Sequence, residues 1–332
     1  MRKILLSHGS GGEETQKLIK NIFLKYFSNE ILDKLEDSSI LNVGRKIAFT
    51  TDAFTVSPIF FKGGNIGKLA VAGTVNDLSV MGAKPLYMAV SFIIEEGLPV
   101  EELEEIVKAM DEEAQKSGIK VVAGDTKVVP KGTLDKLFIS CSGIGEVLYE
   151  GLSAHNLEEG DVILVSGSVG DHGACILAER EGLEFEVPIT SDCKSLWNMI
   201  EKVLSSGACI HAMRDATRGG LSAVLNEWAE QSNVEIEVEE ESIPVKDAVR
   251  GLCELLGFEP FHLANEGMVV IAVKEEDAKK VLEILRSTEE GKEAEIIGRV
   301  VKKGSPRVVI NTPYGVKRIM EAPSGELLPR IC

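Results

Sequence analysis

The amino-acid sequence predicts a mixed α/β protein of two domains. Apolar stretches with strand character alternate with helical patterns along most of the chain, as in a sheet that is covered by helices. A length of 332 residues suits two cores of roughly 150 residues each. A polar stretch at residues 153–160 separates two series of alternating strand and helix patterns. We therefore expect domains at residues 1–153 and 154–320, followed by a flexible tail at residues 321–332.

The composition indicates a globular protein with an acidic surface. Hydrophobic residues make up 44% of the chain, charged residues 27%, and the formal net charge is −17. Such a surface repels phosphate backbones, which argues against a nucleic-acid binder. No apolar run approaches the ~20 residues that a membrane helix needs, and the first residues are too short for a secretion signal. We expect a cytoplasmic protein that contacts no membrane.

Cys332, the last residue of the sequence, differs from the other cysteines. The six cysteines form no Cys-x-x-Cys pair and no zinc-type spacing with the five histidines, and five of them are expected to be small buried hydrophobes. Residues 321–328 contain proline and glycine and little apolar periodicity, which predicts a mobile arm. Cys332 could thus enter a pocket as a substrate would. The alternative is a cysteine that stands at this position by accident.

A glycine-rich turn lies near the start of the chain. It contains His8, Gly11 and Gly12 and precedes a helical pattern. A loop that leads into a helix can hold phosphate on its backbone N–H groups. The turn lacks the Gly-Lys-Ser/Thr ending of a P-loop, so an ordinary turn is the alternative.

Two aspartates of the first half stand where metal ligands occur. A hairpin over residues 39–51 runs into Asp52, at the predicted end of a strand. Asp77 follows Asn76 inside an apolar helix predicted over residues 66–81, where an unpaired carboxylate would be costly. Mg²⁺ would supply the missing partner. The alternatives are a turn or cap role for Asp52 and a solvated helix face for Asp77.

A third aspartate follows a strand predicted over residues 119–123. Asp125, Thr126 and Lys127 come directly after Gly124. An aspartate two residues before a lysine suits a metal with a phosphate, or a lysine whose lowered pKa lets it act as a base. The remaining elements of this half are a strand over 86–94, a helix over 100–116 and a strand over 134–147.

The second half contains the strongest local signal for a nucleotide. Asp215 and Thr217 precede a helix predicted over residues 221–231, and on their own they would be ordinary N-cap chemistry. Arg218 and the pair Gly219 and Gly220 exceed what a cap requires. Arginine side chains and helix N–H groups together form a phosphate cradle.

Asn265 and Glu266 form a polar pair between apolar runs, just before a strand predicted over residues 268–273. A buried Glu266 would have a raised pKa and could accept a proton near neutrality. A turn residue is the alternative. The other strands predicted in this half span residues 161–165 and 294–301. One predicted helix ends at residue 181, and three others span residues 195–206, 245–256 and 276–287.

Together these motifs resemble the HypE family of hydrogenase maturation proteins. That family belongs to the superfamily of aminoimidazole ribonucleotide (AIR) synthetase, selenophosphate synthetase and thiamine-monophosphate kinase. The order of the acidic motifs is typical of the superfamily, and the final Pro-Arg-Ile-Cys is typical of HypE. Ala53 stands where the family pattern has serine, which leaves Asp52 intact. The resemblance rests on residues 8–12, 51–54, 73–78, 124–129, 215–220, 265–267 and 329–332.

The resemblance implies an AIR-synthetase-like fold. The N-terminal sheets of two chains would pair into a dimeric β-barrel, and the C-terminal domain would be an α/β sandwich. A homodimer would bind ATP and Mg²⁺ in a cleft between the two halves. The implied partners are the carbamoyltransferase HypF and the HypC–HypD scaffold.

The implied reaction is the ATP-dependent dehydration of a carbamoyl group on Cys332 to a thiocyanate, which supplies cyanide to iron during [NiFe]-hydrogenase assembly. Phosphorylation turns the amide oxygen into a leaving group. By resemblance, Lys127 and Glu266 are the bases that remove the amide protons. The implied Mg²⁺ ligands are Asp52, Asp77, Asp125 and Asp215. The other implied nucleotide-binding residues are His8, Gly11, Gly12, Asn76, Thr126, Thr217, Arg218, Gly219, Gly220 and Asn265.

Two alternatives remain open at this point. Another ATP-dependent enzyme of the superfamily, such as a selenophosphate synthetase, would need a reactive cysteine near the glycine-rich turn, and the sequence has none there. A non-enzymatic scaffold would use Cys332 to bind a metal or to form a disulfide. The scaffold predicts neither ATP hydrolysis nor modification of Cys332.

Overall fold

Two sheets organise the protein, which confirms the predicted mixed α/β class. The computed structural model describes residues 13–18, 20, 32–37, 39–42, 44–324 and 330–332. Within them, a five-stranded sheet forms in the first half of the chain and a seven-stranded sheet in the second.

The helices and strands of the described residues are as follows. The helices are α1 (Glu13–Leu18), α2 (Ile66–Val80), α3 (Val100–Ser117), α4 (Asp171–Glu181), α5 (Trp197–Leu204), α6 (Gly220–Ser232), α7 (Asp247–Leu256) and α8 (Glu275–Arg286). The strands are β1 (Ser39–Asn42), β2 (Lys46–Phe54), β3 (Phe60–Phe61), β4 (Gly64–Asn65), β5 (Ala83–Glu95), β6 (Lys120–Val129), β7 (Leu137–Val147), β8 (Val162–Val165), β9 (Ile210–Asp215), β10 (Val234–Glu239), β11 (Val269–Val273), β12 (Glu295–Lys303), β13 (Arg307–Asn311) and β14 (Lys317–Ile319).

The N-terminal sheet carries α2 on one face. Its strand order is β1-β2-β7-β5-β6, and β5 and β6 run parallel while the other pairs are antiparallel. Alternate residues of β2 are buried, as a strand with one covered face requires. The small residues of α2 let it lie close to the sheet, and Asn65 caps it by accepting hydrogen bonds from the N–H groups of Gly67 and Lys68. This packing places Asp77 over β2.

The other face of the N-terminal sheet is open to solvent. Large apolar side chains are exposed there and along the edge strand β6, including Phe49 at 40%, Tyr87 at 47% and Val122 at 60%. In the described part of the chain the five strands form an open sheet and no closed barrel. An exposed apolar face on a sheet with a free edge is typical of a surface that another chain covers.

The C-terminal sheet is covered on both faces, in agreement with the expected sandwich. Its order is β14-β13-β10-β12-β8-β11-β9. One buried cluster packs α6, with Trp228, against one face, and a second packs α5 and α8 against the other. No helix among the described residues is both long and apolar enough to cross a membrane.

Several strands extend beyond their predicted limits. Asp52 was expected at a strand end, but antiparallel pairing with β7 continues to Phe54. Asp125 was also expected at a strand end, but parallel pairing with β5 carries β6 on to Val129. Both aspartates therefore lie inside strands, and both predictions were wrong. The sequence prediction also missed β10, β13 and β14.

Candidate functional site

Four aspartates converge between the two halves of the molecule. Asp52 comes from β2, Asp77 from α2 and Asp215 from the end of β9. Asp37, which precedes β1, joins them. Ligand oxygens of Asp37, Asp77 and Asp215 lie within 4.8 Å of one another, which is the spacing that a single cation could bridge.

Asp37 was not among the predicted residues. Arg214 fixes it, with Nε 2.9 Å from an Asp37 oxygen and Nη1 2.7 Å from Glu227. No glycine cluster or motif marks Asp37 in the sequence. Its role depends on its proximity to Arg214 and Asp215, which lie far away along the chain.

The electrostatics of this cluster favour a bound cation. Burial raises the pKa of Asp77 well above its ordinary value, and the neighbouring Asp52 carboxylate adds to the effect. Burial also raises the pKa of Asp37 to about 8 and that of Asp215 to about 6, although Arg214 opposes both shifts. One oxygen of Asp52 is buried without a hydrogen-bond partner. Crowded, partly unsatisfied oxygen ligands fit Mg²⁺, which prefers hard oxygen donors.

These shifts predict how pH affects stability. Asp37 and Asp215 bind protons more tightly in the folded chain than in the unfolded chain, so each stabilises the fold at low pH and loses that contribution as pH rises. In EDTA, the melting temperature is expected to fall by about 5 °C between pH 5 and pH 8. Mg²⁺ should remove most of this fall, because it binds the ionised carboxylates.

The variant Asp37→Asn serves as the control for this measurement by differential scanning fluorimetry. It should flatten the pH dependence in EDTA and reduce the stabilisation by Mg²⁺ at pH 8. A melting temperature at pH 8 that does not respond to Mg²⁺ would contradict a cation site here.

Cys332 lies at this cluster. The charged groups that act on its thiol are Arg218, Glu266, Asp52 and Asp215, and loss of water around the sulfur raises its pKa to about 12. Cys332 as a whole residue is half-buried although its sulfur is shielded from water, and Ile331 beside it is 5% exposed and packs into a core shared by both halves. The docked sulfur is therefore a neutral thiol at pH 7.

Glu266 is buried beside the aspartates. Its side chain is 2% exposed, and its Oε1 atom has no hydrogen-bond partner. Burial raises its pKa well above the ordinary value, and Asp215 adds to the shift. Asp192 fixes the backbone here, because its carboxylate accepts hydrogen bonds from the N–H groups of Glu266 and Gly267. Glu266 thus has the environment of a proton-transferring carboxyl group.

The two predicted asparagines link segments of the chain. The Oδ1 atom of Asn76 accepts a hydrogen bond of 2.8 Å from the N–H of Leu196, and its Nδ2 donates to the carbonyl of Lys194. Asn265 accepts from the N–H of Gly170 and donates to Ser168 and Asp192. Both side chains are buried, and these contacts position the neighbouring Asp77 and Glu266.

The predicted phosphate cradle lies at the start of α6. Thr217 and Arg218 line a cavity of about 260 Å³ together with Asp37, Asp52, Asp77 and Asp215. Gly219 and Gly220 have positive φ angles of 80° and 61°. A Cβ atom on Gly220 would come within 2.4 Å of the Leu263 carbonyl oxygen. The two glycines therefore allow the sharp entry into α6 that directs its N-terminus at the cavity.

A second, wider cavity of about 660 Å³ adjoins the first. It lies between α1, the outer face of α6 and residues 306–323, and both cavities are lined by Gln16, Ala223 and Glu227. The two cavities together offer room for a ligand with an anionic end and a larger body.

Asp125, Thr126 and Lys127 are not brought to the cluster within one chain. Asp125 and Lys127 are exposed and form an ion pair of 3.3 Å with each other on the edge strand β6. Asp125 pairs with Ser91, Ser91 with Ser140, and Ser140 with Ala53, which is next to Asp52. Asp125 therefore lies three strand spacings, or about 14 Å, from β2. The predicted residues His8, Gly11 and Gly12 lie outside the described residues.

Two family models match successive parts of the chain. The family model described as AIR synthase related protein, N-terminal domain, matches residues 35–147, and the model for the C-terminal domain matches residues 158–311. The carbamoyl dehydratase HypE of Escherichia coli is 47% identical over 341 residues, which cover 100% of both chains.

Solved structures agree with this similarity. The chain resembles a crystal structure of a HypE–HypF complex with a TM-score of 0.88 and 52% identity, over 92% of this chain and 99% of that one. A crystal structure of the hydrogenase maturation protein HypE in complex with ATP matches with a TM-score of 0.84 and 44% identity, over 99% of this chain and 100% of that one.

Proposed function

The chain belongs to the HypE family of carbamoyl dehydratases, and from this we propose that it uses ATP to dehydrate a carbamoyl group carried on Cys332 to a thiocyanate. The observation that carries the proposal is the position of Cys332, whose sulfur is docked beside Arg218, Glu266 and the aspartate cluster. A scaffold protein would have no need to enclose this thiol among carboxylates.

The reaction removes one oxygen and two protons from S–C(=O)–NH₂. The amide oxygen attacks the γ-phosphorus of ATP and ADP departs. Phosphate then leaves with the former amide oxygen, while the C≡N bond forms as the nitrogen loses its protons. Glu266 accepts one of these protons, because a carboxylate with a raised pKa is a stronger base than an ordinary one.

The aspartate cluster would hold Mg²⁺, which neutralises charge on the transferred phosphoryl group. Its ligands in our proposal are Asp52, Asp77 and Asp215, with Asp37 as an addition to the predicted set. Arg218 and the N-terminus of α6 line the same cavity and would face the phosphate oxygens. The wider cavity, with a volume of about 660 Å³, would take the rest of the nucleotide. The relative whose crystal structure contains ATP supports this ligand.

The exposed face of the N-terminal sheet supports a homodimer in which two sheets pair into a barrel. Strand β6 lies at the free edge, so Asp125, Thr126 and Lys127 can meet a carboxylate cluster where two chains come together. We propose that they complete the site of the second chain, with Asp125 as a further Mg²⁺ ligand and Lys127 as the second base.

This arrangement predicts complementation between variants. Lys127→Ala and Glu266→Gln dimers should each lose activity. Mixed dimers, formed by co-expression with two affinity tags, carry one intact site and should regain up to about half of the wild-type rate. If Lys127 instead serves the site of its own chain, the mixed dimers will stay as inactive as the parents.

The proposed partners are HypF, which supplies the carbamoyl group, and the HypC–HypD scaffold, which receives the cyanide. A solved complex between relatives named HypE and HypF supports the first. The test is to incubate the protein with ATP, Mg²⁺, the carbamoyltransferase and carbamoyl phosphate, and to weigh the C-terminal peptide. We expect a carbamoylated peptide that then loses one water. An unmodified peptide after full turnover would overturn the proposal.

A further inference from the structure

The last three residues lie between the two halves of the protein. The N–H of Thr55 donates to the Cys332 carbonyl oxygen at 2.8 Å, and the N–H of Ser57 donates to the Arg330 carbonyl oxygen at 3.2 Å. The order of these contacts is that of an antiparallel strand laid along the segment that follows β2. The Arg330 side chain adds to these backbone bonds, because it donates to the Thr55 carbonyl oxygen at 2.8 Å and to Asp135 at 2.7 Å.

The C-terminal half contributes two side chains from α4. Arg180 donates to the Arg330 carbonyl oxygen, and His172 Nε2 lies 2.7 Å from the Ile331 carbonyl oxygen. His172 is fully buried, and its ring packs edge-on against Phe61 at 5.4 Å between centroids. Among the described residues, the partner of its Nε2 atom is the Ile331 carbonyl oxygen, so the buried ring joins α4 directly to the tail.

The hydrogen bonds around His172 fix its tautomer. A carbonyl oxygen can only accept, so Nε2 carries the hydrogen. Nδ1 then accepts from the Ser191 hydroxyl at 2.8 Å, and the Ser191 oxygen in turn accepts from the N–H of Cys193 at 3.1 Å. Burial lowers the pKa of His172 to about 4, so the ring is neutral at pH 7. The imidazole is thus oriented as a fixed donor to the tail.

We propose that His172 is a positioning residue, held by Ser191, that latches the terminal tripeptide and thereby sets the fraction of time Cys332 spends beside the aspartate cluster. The inference rests on the proposed function for its consequence: dehydration requires the docked sulfur, whereas loading by a carbamoyltransferase requires a sulfur outside the cavity. The strength of the latch therefore determines how much time the tail spends docked for dehydration and how much it spends released for loading.

The test measures tail docking without relying on activity. Cys332 of the full chain is alkylated with iodoacetamide, and each cysteine peptide is quantified by mass spectrometry. His172→Ala is expected to raise the Cys332 rate about tenfold, the effect of one lost buried hydrogen bond. His172→Gln, whose Nε2 can still donate to Ile331, should return within about twofold of wild type. Hydrogen exchange at the Thr55 and Ser57 amides should accelerate in parallel.

Internal controls separate tail release from unfolding. The buried Cys141 and Cys193 should stay unreactive in every variant, since they become accessible only if the core opens. His211→Gln, which alters a histidine that contacts Asp161 instead of the tail, should leave the Cys332 rate unchanged. If His172→Ala folds and leaves both alkylation and exchange unchanged, or if His172→Gln behaves like His172→Ala, the latch is disproved.

Activity then adds a separate outcome. With carbamoylated enzyme prepared in advance, His172→Ala should form thiocyanate at most about twofold more slowly, with the KM for ATP unchanged, because a tenfold rise in a small released fraction leaves the tail mostly docked. Alkylation that responds to His172 in a protein without ATP-dependent chemistry would leave the latch standing and refute the proposed function. If carbamoylated Cys332 is dehydrated normally but its alkylation does not respond to substitution of His172, the proposed function stands and the latch is refuted.

Discussion

Replacing Cys332 with serine is expected to abolish thiocyanate formation while ATP binding persists. The sulfur is both the attachment point of the carbamoyl group and the atom that carries the product. A serine hydroxyl fills nearly the same volume, but its oxygen is a far weaker nucleophile than a thiolate, so the variant should not be loaded. ATP affinity should stay within a few-fold, because the residues that line the nucleotide cavities are unchanged. The measurements are C-terminal peptide mass and nucleotide titration.

The matched control is Cys209→Ser. Cys209 is also half-buried, but it directly precedes β9, and its sulfur contacts His211. This variant should form thiocyanate at the wild-type rate. A Cys332→Ser protein that still gains and dehydrates a carbamoyl group would show that another thiol is the carrier.

Glu266→Gln is expected to slow dehydration by about 10² to 10⁴-fold, the usual loss when a general base is removed. The substitution keeps the shape of the side chain and removes its ability to take a proton. Carbamoylated Cys332 should therefore accumulate in the presence of ATP and Mg²⁺. A time course of peptide mass distinguishes this block from a failure of loading, since loading places no demand on Glu266.

Glu235→Gln provides the comparison for this variant. Glu235 is 5% exposed and pairs with Lys302 and Arg307 on the C-terminal sheet. Although Arg307 lines the wider cavity of the candidate site, Glu235 itself lines neither cavity. Its loss should lower stability and leave the ratio of carbamoylated to dehydrated peptide unchanged. Equal accumulation in both variants would mean that the effect of Glu266→Gln comes from destabilisation.

The sequence predicted most elements because their periodicity is strong. The helix over residues 100–116 and the observed α3 differ by one residue at the C-terminal end. The missed strand β10 also carried a signal, since Val234, Ile236 and Val238 alternate with glutamates and are all buried. The limits of β2 and β6 could not be predicted, because pairing with β7 and β5 decides where each strand ends.

The candidate site was partly predictable for a similar reason. Asp77 and Glu266 stand out in the sequence because they are charged residues within apolar surroundings, and the structure buries both. Asp37 has no such context and joins the cluster through Arg214. Lys127 lies in a recognisable motif, but its distance from the cluster depends on the position of β6 at the sheet edge. Spatial relations between distant segments were thus the part that residue patterns could not supply.

Asn76 and Asp77 are neighbours on α2 but have different contacts. Asn76 is hydrogen-bonded to Leu196 in the second half of the molecule, whereas Asp77 belongs to the cluster with Asp37 and Asp215. If the two halves moved apart to open the cleft, either the buried hydrogen bond between Asn76 and Leu196 would break or α2 would separate from the N-terminal sheet. Both are costly, so the frame of the protein should stay rigid through the reaction cycle. Residues 330–332 then provide the movement that the reaction needs, because they carry Cys332 into and out of the site. Turnover should therefore be insensitive to cross-links that join the two halves elsewhere.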